Sequence, residues 1–197
     1  MNDVAPARQS ADAPSGMHAL LFAALLAAAD GGPRVLDLRE GTLTYTVVHK
    51  LHEVKATTHL LEGRALLQPG GLLRVQVRAK IASFDSGNSS RDEHVREVTH
   101  EPAHPYVQLK GTASGVQLPI SAPAEVTLDG TVELNGVLKP QRVLVHLDPQ
   151  AGGGVRARFS FPVSLEAFAI ERPELLFVKV EDGAQIDGEL LFAGAQP

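Results

Sequence analysis

Four serines, two aspartates and a histidine crowd one short stretch of the chain: Ser83, Asp85, Ser86, Ser89, Ser90, Asp92 and His94. Serine, histidine and carboxylate together can do nucleophilic hydrolysis, provided the histidine takes the serine proton and the acid orients the histidine. The local pattern argues for a different use. No Gly-x-Ser-x-Gly elbow is present, the turn that holds such a serine ready in many hydrolases. Ser90 stands three residues before Glu93, the spacing of a helix capping box. The paired carboxylates Glu171/Glu174 and Glu181/Asp182 read as solvated turns. A serine-type hydrolase is therefore the third of three readings, and no residue is assigned a catalytic role.

The eight histidines raise a second chemistry, metal binding. His49 and His52 are three apart and His52 and His59 seven apart, odd spacings that put neighbours on opposite faces of an extended strand. His100 and His104 have helical spacing, but Pro102 lies between them, and His94 stands alone. There is no His-Glu-x-x-His and no cysteine, so neither a zincin helix nor a thiolate site can be built. The expectation is no metal and no cofactor.

Composition narrows the partners. The net charge is -5 with no run of Lys or Arg, the aromatic fraction is 5% and there is no Trp. Nucleic acid needs clustered positive charge and stacking surfaces, so it is not expected. Residues 19–29, ALLFAALLAAA, are unbroken apolar, too short for a stable membrane span. They fit the apolar region of a secretory signal with small-residue cleavage before Asp30, although only His18, and no Lys or Arg, stands between Met17 and the run. That reading divides the chain into a disordered start plus signal at 1–29 and one domain at 30–197. It places the domain in the periplasm or outside the cell. A packed N-terminal helix is the alternative, and would leave the protein cytoplasmic.

The elements that must position these residues are strands. From Val35 onward the apolar period is two. Leu43, Tyr45 and Val47 alternate with threonines, and Leu73, Val75, Val77, Ala79 and Ile81 alternate with polar residues. A strand from Val54 continues to about Leu67, with Gly63 expected as a bend or bulge. Val126 to Leu134 alternates and ends at Asn135-Gly136, a strong hairpin-turn pair. Val155, Ala157, Phe159, Phe161 and Val163 share one face, with Pro162 expected at an edge or bulge. Further strands are expected at 175–180 and 185–192. Between the strands, Asp85 to Asn88 is a turn composition. Residues 91–98 read as a short helix stopped by Pro102 and Pro105. About eight antiparallel strands with one inserted helix fit a barrel or a sandwich.

Several of these stretches resemble the YceI-like family, whose members are often called polyisoprenoid-binding proteins. The sequence Ser86-Gly87-Asn88-Ser89-Ser90-Arg91-Asp92-Glu93-His94-Val95, followed by His104-Pro105-Tyr106-Val107, looks like the family's helix and following strand. Val132 to Pro140 and Val47-Val48-His49 match further pieces in order, so the resemblance covers roughly residues 35–192. It departs at Asn135, where the family has His, and at residues 164–169, which keep Phe168 and lose Arg, Asp and Gly. The resemblance implies an all-β, elongated, lipocalin-like antiparallel barrel with a lipid-filled interior.

The leading functional expectation is non-enzymatic binding or transport of an apolar chain-like lipid, of isoprenoid or fatty-acid type, inside that barrel. Phe84, Phe159, Phe161, Phe168 and Phe177 are candidates to line a tunnel, with Val47 and His49 on the first strand and Tyr45 and Tyr106 as polar handles. Arg91 and Asp92, the residues most like the family motif, are candidates for a head group at the mouth. Each also has a structural reading: Asp92 favours the positive helix start, and Arg91 bonds neighbouring loop carbonyls. The alternative function is an interaction barrel with a filled core that binds a protein partner. The sequence does not decide the oligomeric state, and a homodimer is one expectation.

Overall fold

The structure is a computed structural model describing residues 32–49, 52–117, 119–172, 174–175, 178–179 and 181–194. The apolar run at 19–29 and Phe177 therefore lie outside the described residues. The strands are β1 Arg34–His49, β2 His52–Thr58, β3 Leu61–Gln68, β4 Leu72–Lys80, β5 Tyr106–Ala113, β6 Ala124–Leu134, β7 Val137–Pro149, β8 Val155–Ser164, β9 Glu174–Leu175, β10 Val178–Lys179 and β11 Gly183–Gly194; the helix α1 is Ser89–Val98. Neighbouring strands pair antiparallel in the order β11-β8-β7-β6-β5-β4-β3-β1-β2, and β11 also pairs with β1. The sheet thus closes on itself. β2 and β3 together make one wall element beside β1, so the barrel has eight staves.

β1 is long enough to serve both halves of the tube. Its first residues pair with β3, Arg34 opposite Leu67, and its last residues pair with β2, Val47 opposite Val54. The wall element expected as one strand from Val54 to Leu67 is interrupted at His59 and Leu60. Thr58 is held inside this break by a 2.8 Å bond to the Ser83 hydroxyl and accepts the Leu60 N–H at 3.0 Å. The bulge expected at Gly63 is absent: Gly63 sits in an unbroken β3–β4 ladder opposite Val77. Its missing side chain has another use, because a Cβ there would stand 3.2 Å from the Gln76 carbonyl oxygen and 3.3 Å from Leu38 Cβ. The register shift falls instead at Arg39, whose guanidinium donates to the Gly194 carbonyl at 2.6 Å. An extra residue there bends β1 and increases its twist.

Asn135-Gly136 forms the expected hairpin tip, with φ of +52° and +71°. Two positive φ values in succession match the right-handed twist of the flanking strands. The β7–β8 ladder, in contrast, ends at Val145 opposite Phe159. Beyond it, residues 160–164 of β8 pair with β11 alone, so Pro162 lies in that ladder opposite Gln185. The split between β7 and β8 is filled by a short 3-10 turn, Glu166–Phe168. Phe168 is 3% exposed there. Asp182 pins the turn: its carboxylate accepts the Glu166 N–H at 2.8 Å, and the Ser164 hydroxyl and that N–H hold its pKa below the usual carboxylate range. The strand expected over 175–180 is a two-rung antiparallel pairing of β9 with β10.

The two ends of the bore are packed differently. At the end away from α1, Leu67, Leu73, Leu128, Val145, Leu147 and Phe192 are buried in a continuous cluster. Toward α1 the inward residues Leu43, Tyr45, Val47, Val107, Leu109 and Ile186 are only half-buried, because they face empty space.

Candidate functional site

That space is a cavity of about 510 Å³ beneath α1, within the range of small-ligand pockets, roughly 300–1,000 Å³. Every strand from β1 to β6 except β3, together with β8 and β11, contributes to its wall. The wall is apolar because strand alternation sends each second residue inward, and those residues are mainly Val, Leu, Ile, Phe and Ala, with Tyr45 among them. Ser90, His94 and Glu171 line the cavity and are themselves exposed, so it meets solvent at the helix end.

The helix covers this end with one face. Arg91, His94, Val95 and Val98 all line the cavity; they fall at i, i+3, i+4 and i+7, a single stripe of an α-helix. The stripe is polar at its N-terminal half and apolar at its C-terminal half. What starts the helix differs from the capping box expected at Ser90. Asn88 is the N-cap, and its side-chain oxygen accepts the Arg91 N–H at 3.0 Å. The helix therefore begins at Ser89, two residues earlier than expected, and the Ser90 hydroxyl is left facing the cavity without a hydrogen-bond partner among the described residues.

Of the residues singled out from the sequence, the fold brings six to this cavity: Tyr45, Val47, Phe84, Arg91, Phe159 and Phe161. The Tyr45 and Phe84 rings meet at 5.4 Å between centroids, tilted by 46°. Among the described residues the Tyr45 hydroxyl has no hydrogen-bond partner. Burial pushes its pKa up to about 12, the Asp92 carboxylate adds to the rise and Arg91 opposes it. It is thus a neutral phenol with an unused donor, aimed at an apolar space.

Three others go elsewhere. Asp92 turns away from the cavity and accepts the Ser86 N–H at 3.1 and 3.4 Å, tying the turn to the first helical turn, where a negative charge is favoured. Tyr106 is on the outer face, with the Arg78 guanidinium 4.5 Å over its ring; Glu62 bonds Arg78 and raises its pKa further. One residue of strand phase decides this, since Val107 and Leu109 take the inward positions. Phe168 fills the β7–β8 split rather than the bore. His49 ends β1. Arg91 reaches the Ser86 carbonyl at 3.5 Å, the loop contact expected of it, and lines the cavity as well.

Sequence reasoning missed the contribution of α1 beyond Arg91, although the spacing of Arg91, Val95 and Val98 carried the signal. It also missed Val54 and Ile186, which alternation alone could not distinguish from ordinary core. No triad assembles: among the described residues no serine hydroxyl bonds a histidine ring, and His94 instead lies 3.7 Å from Glu97. No group of three or more metal-ligating side chains occurs among them, and no described helix is long and apolar enough to cross a membrane.

The comparisons agree with this architecture. The sequence matches the YceI-like domain over residues 35–192. No curated protein matches it. Among solved structures, it is similar to BcnA of Burkholderia cenocepacia at 15% identity, covering 77% of this chain and 95% of that one with a TM-score of 0.64. It is similar to a polyisoprenoid binding domain from Saccharophagus degradans at 12% identity, over 81% and 98% of the two chains, with a TM-score of 0.66. A YCEI protein of Campylobacter jejuni matches at 14% identity over 76% and 90%, with a TM-score of 0.56. These identities speak for the fold alone. A closed eight-stave barrel, a capped helix across one end and a sequence match over more than half the chain together place this protein in the YceI-like domain family.

Proposed function

We propose that this barrel binds, and in binding carries, an apolar chain-like lipid of isoprenoid or fatty-acid type without chemically changing it. The observation that supports the reading most directly is the cavity of about 510 Å³, walled by apolar side chains and carrying a few polar groups at one end only. Water in such a space would find few partners, and genuinely apolar cavities stay dry or take up apolar ligands. Burial of a hydrocarbon tail at ~25 cal/mol per Å² supplies the affinity. The Tyr45 and Ser90 hydroxyls and the Arg91 guanidinium, each with donor capacity to spare, orient a polar or anionic head toward the helix end.

The polyisoprenoid binding domain from Saccharophagus degradans shares the fold and adds weight to a lipid ligand. Export belongs to the same proposal: with residues 19–29 as a secretory signal, the barrel acts in the periplasm or beyond it. The test is native mass spectrometry of the purified full chain, followed by solvent extraction. The expected result is a bound mass that is released on denaturation and recovered as a lipid. Repeated recovery of bare protein that also takes up no added fluorescent fatty acid would reject the reading.

A further inference from the structure

The bore does not run the length of the barrel. The large cavity and a second void of about 50 Å³ below it share three wall residues, Val77, Leu109 and Phe159. These three form the constriction between them. Phe159 contributes the largest part and has a built seat. It lies opposite Gly188 in the β8–β11 ladder, and a Cβ placed on Gly188 would stand only 2.1 Å from Cζ at the tip of its ring. Any side chain at 188 would displace the ring, so the glycine lets Phe159 lie down against the β11 backbone. On its upper side the ring is braced by Phe161, with centroids 5.9 Å apart. Below it the core closes around Val155, Ala157, Leu190 and Phe192, all buried.

We infer that Phe159, seated on Gly188, is the floor of the binding chamber and sets how much of a tail the protein can bury. The inference rests on the lipid-binding reading and makes it specific. Taking ~30 Å³ for each water-sized unit of liquid volume, with a methylene close to that, about 510 Å³ holds about 17 carbon-sized units. The ligand class is therefore a single-tailed amphiphile of which roughly 17 tail carbons are buried.

The experiment measures affinity of the full chain for free fatty acids of increasing length by displacement of a fluorescent fatty acid. Farnesol and geranylgeraniol serve as parallel arms that separate acyl from isoprenoid tails. In the wild type, affinity rises about tenfold for every two carbons, following the burial of methylenes, and then levels off at about 16 to 18 carbons. In Phe159→Ala the plateau moves about four carbons longer, because the lower void and the vacated ring volume join the chamber. Phe159→Leu, which keeps more of the packing, moves it less and reads out the effect even if the alanine variant folds poorly. Gly188→Ala pushes the ring across the bore and moves the plateau shorter. Affinity that climbs without a plateau through 22 carbons, or a plateau that none of the three variants moves, overturns the floor while leaving lipid binding standing. A wild type that binds no tail of any length overturns both.

Discussion

The side-chain oxygen of Asn135 lies 2.8 Å from Nδ1 of His100. The same side chain donates its amide to the Phe168 and Ala169 carbonyls, each at 3.1 Å. One residue at a hairpin tip therefore holds the chain that leaves α1 and the turn that plugs the β7–β8 split. Because Asn135 is buried and has φ of +52°, its replacement loses bonds and gains backbone strain together. Asn135→Ala is expected to cost about 2–4 kcal/mol, combining unsatisfied buried carbonyls with the left-handed conformation. Asn135→Gly should recover about 1 kcal/mol of it. Urea unfolding of both variants measures this, and equal losses in the two would show that strain plays no part.

Helix α1 has its own switch at Asn88. Removing the oxygen that accepts the Arg91 N–H should cost about 1 kcal/mol in Asn88→Ala. Because α1 has no fully buried residue, the loss should fall mostly on local opening. Hydrogen exchange is expected to accelerate for amides of the helix and much less for those of β4 or β7. Uniform acceleration through the barrel would contradict that.

Tyr45 predicts an alkaline limit. Its pKa is about 12 in the fold against an ordinary 10.0, so the unfolded chain gives up this proton first. The associated stability is intact below pH 10 and is lost as pH rises toward 12, by about 2–3 kcal/mol at most. Tyr45→Phe removes this loss. At neutral pH it should change stability by less than about 1 kcal/mol, since the hydroxyl has no partner to lose. The difference between the two unfolding curves from pH 8 to 11.5 tests both statements, and parallel curves would refute the burial of the phenol.

The unequal filling of the bore predicts unequal sensitivity. Leu67 is 2% exposed in the packed end, and Leu67→Ala should cost about 3–4 kcal/mol. Ile186 lines the cavity and is half-buried, so in lipid-free protein Ile186→Ala should cost less than about 2 kcal/mol because its side chain already lacks partners on one side. Denaturation of both variants after lipid extraction checks the contrast. Equal losses would mean that the cavity collapses in solution.

Much of this molecule was legible in its amino acids taken one after another. Alternation of period two at Leu73 to Ile81 and at Val155 to Val163 marks strands with one wet and one dry face, because successive side chains point to opposite sides of any strand. Asn135-Gly136 marks its hairpin because few other residues tolerate two positive φ values in succession. These are local properties, and local sequence determines them. The strand phase of Tyr106 and the placement of Phe168 in the wall were decided by packing partners far along the chain. So was the chamber. Whether an inward Phe fills its barrel or merely floors it depends on what stands opposite, and only the β8–β11 pairing sets Phe159 against Gly188.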